Sequence, residues 1–395
     1  MNLLFRNNGA LGLLMVNIFL AMAAYGLVVP VMPTLMRNLG LTGASVGYLT
    51  AAYAVTQLLF SPWGGRLGDT IGRKKIIVAG LALLAISEAI FGFSSSVYML
   101  FLSRLLGGAG VALIFPGIMA FTADITTENE RAKGIGYISA AMSTGFIIGP
   151  GLGGFLAEYG VRVPFYVAAA LVGFVALLSM MVLPESMKKA HHIETRLAME
   201  REGLIRQIWQ SRKAPYFATL IVLLVLGFGL SNFETVFGLY LDAKHQFGPN
   251  DIALVLTIGA VVGVVIQVGL LDVLVKRLGE MKVMYLSLAL GGASIFIILF
   301  VHSYWAITIV TTLIFVFFDL IRPAASSLLS KAAGDRQGYV AGLNSTFTSL
   351  GTIIGSVASG ILYDISLSLP YIAAGTTFLL CLVGLKIHQG IKQSA

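Results

Sequence analysis

The sequence predicts an all-α integral membrane protein, with twelve transmembrane helices in two six-helix bundles that repeat one another. Three observations predict it. The 395 residues are 57% hydrophobic and only 11% charged, against about 25% charged residues in an ordinary globular domain. Apolar runs of about 20 residues, long enough to cross a hydrocarbon layer of roughly 30 Å as helices, recur along nearly the whole chain. The two halves also overlie one another at a shift of 206 or 207 residues. In lipid the backbone must satisfy its own hydrogen bonds, and a helix does so within one segment.

The spans read as 9–32, 45–65, 76–94, 97–121, 135–156, 164–183, 215–241, 251–272, 283–301, 304–327, 338–362 and 370–386. With the N-terminus inside, 21 of the 26 Lys and Arg fall on the cytoplasmic side. Arg37, Arg162 and Lys244 fall outside, and Arg104 and Arg322 lie within spans. That asymmetry places both termini in the cytoplasm. It also accounts for the net charge of +8 through topology, without a nucleic-acid partner.

The first apolar run follows Arg6 and contains Ala21-Met22-Ala23, which imitates a signal-peptide cleavage site. The run continues to about Met32 and leads into further spans, so it reads as a helix that stays. Cys381 is alone, which excludes an intramolecular disulfide and a cysteine metal site.

Pro184 to Ala214 is the one long polar stretch, and it reads as a solvated cytoplasmic linker with some amphipathic helix. The expected organisation is therefore a bundle at 1–184, a linker at 185–214 and a bundle at 215–395. At a shift of 206, Gly145-x-x-x-Gly149-Pro150-x-x-Gly153-Gly154 lies over Gly351-x-x-x-Gly355-Ser356-x-x-Ser359-Gly360. Glu158 then meets Asp364, Pro164 meets Pro370 and Phe165 meets Tyr371, and at 207 Pro116 overlies Pro323. Two similar bundles around one site are what a rocking secondary transporter needs.

Three motifs carry a resemblance. Gly65-Arg66-Leu67-Gly68-Asp69-Thr70-Ile71-Gly72-Arg73-Lys74-Lys75 follows the second span, with Thr70 where a basic residue is usual. It resembles the signature loop of the major facilitator superfamily. Asp69 sits there at a helix end among cations, able to hold a partner in one conformation and release it in another. Leu100-x-x-x-Arg104-x-x-Gly107-Gly108-x-Gly110 resembles the fourth-span motif of proton-coupled members, with Gly107 replacing the usual glutamine. An arginine within a span costs about 2.5–3.5 kcal/mol on the insertion scale, so it is expected to face a polar cavity or a carboxylate. Gly145, Gly149, Pro150, Gly153 and Gly154 match the fifth-span antiporter motif of drug exporters, in which glycines let another helix approach and the proline bends the span.

Phe233-Glu234-Thr235, Phe318-Asp319-Leu320-Ile321-Arg322-Pro323 and Gly342 to Ser349 narrow the resemblance to the NorA-type quinolone and multidrug efflux pumps. It covers essentially the whole chain. It implies export of amphipathic, often cationic drugs, driven by protons and by no other cofactor. A monomer in a bacterial cytoplasmic membrane is expected.

Three carboxylates lie within spans: Glu88, Glu234 and Asp319. Asp319 has Arg322 three residues on and Phe315 four residues back on one helical face, so it reads as a proton carrier whose charged form Arg322 stabilises. Glu234 has Asn232 near it and no basic residue within a turn, which suits attraction of a cationic substrate or exchange of a proton for one. Glu88 belongs to third-span packing or to a crevice. In the resemblance, Met22, Tyr25, Tyr53, Gln57, Phe146, Phe315 and Asn344 stand near mid-span on cavity-lining helices, where Met and aromatic side chains suit promiscuous binding. The sequence contains no nucleotide-binding G-x-x-x-x-G-K-[ST] run and neither a zincin nor a nucleophile-elbow motif, so no catalytic residues are expected. The alternative is a proton-coupled transporter of one metabolite, such as a sugar or amino acid. The three Trp at 63, 209 and 305 stand near span ends or in loops, away from where a sugar site would use them.

Overall fold

The computed structural model describes residues 9–186, 204–212, 214–333 and 337–394. The linker reading of 185–214 therefore lies largely outside the described residues. Among the described residues, twelve long helices are found where the apolar runs predict them. They are α1 (Ala10–Leu39), α2 (Gly43–Ile71), α3 (Arg73–Phe93), α4 (Val97–Ile125), α5 (Glu128–Ala157) and α6 (Val163–Val182). After the short α7 (Leu204–Ser211) come α8 (Phe217–His245), α9 (Pro249–Leu278), α10 (Glu280–Ile297), α11 (Tyr304–Ala333), α12 (Gln337–Ile365) and α13 (Leu369–Ser394). Eleven are long and apolar enough to cross a membrane. The exception, α2, is long enough at 29 residues, but Thr50, Thr56, Gln57, Ser61 and Arg66 dilute its apolar character. Most helices extend a turn or more beyond their apolar runs, because helical hydrogen bonding continues into the polar flanks that a hydropathy reading excludes.

Local chemistry sets the ends. Gly40 closes α1 in the left-handed region at φ 63°, with its N–H on the carbonyls of Met36 and Arg37. The Glu130 carboxylate accepts from the Thr127 backbone N–H and from the Thr127 hydroxyl (2.8 Å), forming a capping box at the start of α5. Two cations, Arg162 and Lys244, serve helix ends as well. Arg162 donates to the Gly92 carbonyl at the end of α3 (3.2 Å), and Lys244 donates to the Leu299 carbonyl just past α10 (2.7 Å). Those two carbonyls are 207 residues apart. Cations there meet the negative end of a helix and satisfy an oxygen that lipid cannot.

The chain divides into two compact units. The first comprises Met1–Leu41, Ala52–Arg201 and Gly248–Ala253, and the second comprises Thr42–Ala51, Glu202–Phe247 and Leu254–Ala395. The first turns of α2 and of α9 each group with the unit that sequence order does not assign them. Asp364 at the end of α12 explains the first exchange. Its carboxylate accepts from the N–H groups of Gly43 (2.6 Å) and Ala44 (2.9 Å), where an anion meets the positive end of α2. In the first unit Asn250 donates to Glu158, the residue that the internal repeat equates with Asp364.

Within the first unit α1 packs on α5 and on α6, and α3 packs on α4 and on α6. Within the second, α8 packs on α12 and α13, and α10 packs on α11 and α13. The repeat visible in the sequence is thus a repeat of helix partners. Small residues make the tightest pairings. A Cβ at Gly149 would lie 2.7 Å from the Ala23 carbonyl, and one at Gly153 would lie 2.6 Å from that of Leu27. Pro150 packs on Gly26. In the second unit Gly351 and Gly355 meet the Leu224 and Phe228 carbonyls in the same manner. Helices in lipid gain little from burying apolar surface against one another, so such close backbone approach supplies the packing energy.

Candidate functional site

In the first unit Arg104 on α4 has found a carboxylate. Glu88 on α3 stands 3.6 Å from it, and the two side chains are 1% and 5% exposed. The Arg104 guanidinium also lies 4.2 Å above the Phe91 ring and 5.8 Å from that of Tyr53. The Tyr53 ring is 5.1 Å from Tyr25, which stacks at 5.8 Å on Phe146. Buried at Tyr53 and 37% exposed at Phe146, this series joins three of the predicted drug-surface residues to the intramembrane ion pair. Gly107 and Gly108 make room for it, since a Cβ at Gly107 would lie 2.7 Å from the Ser87 hydroxyl and 3.0 Å from the Tyr53 ring. Met22 lies half-buried one turn before Tyr25 and packs on the unit's core, and Gln57 is half-buried one turn after Tyr53.

In the second unit Asp319 and Phe315 project from α11 toward α9. A Cβ at Gly263 would lie 2.6 Å from the Asp319 carboxylate, and one at Gly259 would lie 2.8 Å from the Phe315 ring. These two glycines therefore form the wall that admits the acid and the aromatic side by side. Phe315 meets Phe233 of α8 edge-on at 6.1 Å, and Phe233 adjoins the half-buried Glu234. Asn232 is fully buried, and neither end of its amide makes a hydrogen bond among the described residues. Asn344 donates to Ser326 (3.1 Å) and accepts from Thr348 (3.4 Å). Arg322 shares a helical face with Asp319 but is exposed, and no ion pair within 4.0 Å joins them among the described residues. One helical turn sets their backbones on a common face, while the long arginine side chain extends away from the carboxylate and is exposed.

The signature loop forms a charge cluster. Arg73 pairs with Asp69 (2.5 Å) and Asp124 (3.4 Å), and its backbone N–H donates to Glu185 (2.8 Å). Ser186 donates to Asp124 (2.9 Å). Gly72 at φ 120° lies where most side chains are strained, and a Cβ there would strike the Glu185 carboxylate. Gly65 has open space around it. Gly154 lies against Ala253 and Pro249 at the start of α9. At the corresponding end of the second unit Lys331 pairs with Glu280, which also accepts from Ser327 (3.1 Å).

The sequence leads us to expect a polar cavity or a carboxylate beside Arg104 and to read Glu88 as part of third-span packing or a crevice, without joining the two; it gives no role to Asp124, Glu185, Glu280 and Lys331. Glu280 and Lys331 had a readable signal, since they fall 207 residues after Arg73 and Asp124. Among the described residues no group of three or more His, Cys, Asp or Glu could hold a metal ion.

Comparison with known proteins agrees with this architecture. The chain is 45% identical over 373 residues to Multidrug resistance protein 1 of Bacillus subtilis (strain 168), covering 94% of each. It is 44% identical over 363 residues to Multidrug resistance protein 2 of the same strain, covering 92% of this chain and 91% of the relative. To the quinolone resistance protein NorA of Staphylococcus aureus (strain Mu50 / ATCC 700699) it is 39% identical over 362 residues, covering 91% and 92%. Among solved structures, the nucleoside transporter NupG superposes with a TM-score of 0.76 at 15% identity over 98% of this chain and 99% of that one. The human organic anion transporter MFSD10 superposes at 0.69 with 19% identity, covering 95% and 98%. At those identities the likeness is one of fold. The sequence matches the family profile over residues 14–288 and 219–389, so this multi-pass membrane protein belongs to the Major Facilitator Superfamily.

Proposed function

We propose that this protein is a proton-coupled multidrug efflux antiporter that exports amphipathic, often cationic drugs such as quinolones and dyes by alternating access. The observation that carries the reading is sequence identity of 39–45% along more than nine-tenths of the chain to relatives named for multidrug and quinolone resistance. The aromatic series Phe146, Tyr25 and Tyr53 and the paired Phe233 and Phe315 support it. They offer large, polarizable area without a fixed pattern of hydrogen bonds.

In this reading Asp319, Glu234 and Arg104 handle the proton. Each is costly in lipid, so a carboxylate that is neutral in one conformation and charged in another gives the cycle its two stable states. Arg322 tunes Asp319 through the field along their shared face. Glu234 also draws cationic substrate, and Met22, Gln57, Phe315 and Asn344 complete the binding surface. The Asp69, Arg73 and Gly72 loop and the Gly145 to Gly154 stripe act as the conformational switch and its bearing. The protein works as a monomer in a bacterial cytoplasmic membrane with both termini inside, using the proton gradient and no bound cofactor.

The deciding experiment follows ethidium or norfloxacin efflux from drug-sensitive cells expressing the protein. Export is expected to collapse with a protonophore while ATP is held constant. Export that persists under that condition overturns the antiport reading.

A further inference from the structure

We propose that Glu88 determines the charge selectivity of export by neutralising Arg104 behind the aromatic surface of the first unit, which lets that surface accept cations. This rests on the multidrug reading above. Within the spans 9–32, 45–65, 76–94, 97–121, 135–156 and 164–183 read from the sequence, Glu88 and Arg104 are the only charged residues. The net charge behind the aromatic series is therefore set by this pair alone. The series runs outward from Arg104 through Tyr53 and Tyr25 to Phe146, with successive spacings of 5.8, 5.1 and 5.8 Å. A cation held against Tyr25 would stand about 10 Å from the guanidinium. In a protein interior, an unneutralised Arg104 at that separation would weaken its binding about tenfold.

The pair is poorly suited to stapling α3 to α4, and those helices have other means of registration. Its 3.6 Å contact is single rather than bidentate, and Glu88 Oε2 and Arg104 Nε make no hydrogen bond among the described residues. One residue away, the Ser87 hydroxyl donates to the Ser103 carbonyl (2.7 Å), and the Ser103 hydroxyl donates back to the Ser87 carbonyl (2.8 Å). Gly80 and Gly110 bring the two backbones together two turns further along. The ion pair therefore adds compensated charge to a contact that is already made.

The experiment measures binding of tetraphenylphosphonium, a cation, and of Nile red, a neutral dye, to purified protein, together with uphill export of both from proteoliposomes. Glu88→Gln is expected to lower tetraphenylphosphonium binding about tenfold and to leave Nile red binding within about twofold. Glu88→Asp is expected to retain both. The double variant Glu88→Gln/Arg104→Gln carries no net charge at this point and is expected to recover cation binding, whatever becomes of its coupling. It remains informative if the single variant does not fold. Equal losses for both dyes, or a double variant that binds the cation as weakly as Glu88→Gln, overturn the proposal. Wild-type protein that exports neither dye uphill overturns the multidrug reading instead, and the binding comparison still decides the role of Glu88.

Discussion

Glu280 and Lys331 pair at positions that follow Arg73 and Asp124 by 207 residues each, with the two signs exchanged. The inversion extends further, because Lys276 stands 207 residues after Asp69, and Gly279, like Gly72, has a positive φ. The first unit thus joins Asp69, Arg73 and Asp124 beside Gly72, and the repeat sets Lys276, Glu280 and Lys331, with every sign reversed, at the equivalent positions around Gly279, where Glu280 and Lys331 pair. The Arg73–Asp124 and Glu280–Lys331 pairs therefore share opposite sign rather than particular residues.

Charge reversal tests this directly. Glu280→Lys and Lys331→Glu should each reduce export, and Glu280→Lys/Lys331→Glu should restore it. Lys331 is 66% exposed, so the stake is roughly 0.2–1 kcal/mol, about 1.4- to 5-fold in a conformational equilibrium. Dye export at matched protein levels is the measurement, and a double variant no better than either single one would show that the pairing is incidental.

At the α1–α5 contact, Gly149→Leu should abolish transport while the protein still inserts, because its Cβ alone would lie 2.7 Å from the Ala23 carbonyl. The repeat predicts the same of Gly355→Leu against Phe228 on α8. Overpacking of this kind costs about 1–3 kcal/mol. Surface labelling checks insertion, and normal efflux from either variant would contradict the role of close approach.

Asp364→Asn removes the anion from the start of α2 but leaves an amide oxygen that can accept from one N–H. A loss of about 0.3–1 kcal/mol is expected, together with a shift in the balance of conformations. Cysteine accessibility near Gly43 reports that shift, and an unchanged profile would assign the carboxylate no part in it.

The two acids of the second unit should fail differently. Asp319→Asn is expected to abolish uphill export of every substrate. Glu234→Gln should weaken a cationic dye more than a neutral one, by about 1–3 kcal/mol or roughly 5- to 150-fold. Flux and binding of both dyes in proteoliposomes distinguish them. Identical failure for both dyes would mean that the acids titrate as one coupled unit.

The sequence by itself determined the twelve helices, their repeat, and the glycine stripe on α5, because each is a property of consecutive residues meeting lipid. An apolar run of 20 residues favours a helix whatever it later packs against, and small residues four apart share a face of any helix. Partners were a different matter. Arg104 announced that it needed a polar cavity or a carboxylate, yet nothing in the sequence chose Glu88 over a cavity. Arg73 likewise had Asp69 in view, but Asp124 and Glu185 lie 51 and 112 residues away. Asp319 and Arg322 had the correct spacing and still form no direct pair. Each residue advances a helix by about 100°, so the rotational phase of two neighbouring helices decides which side chains meet. That phase is fixed by packing along the whole contact, and no local segment carries it.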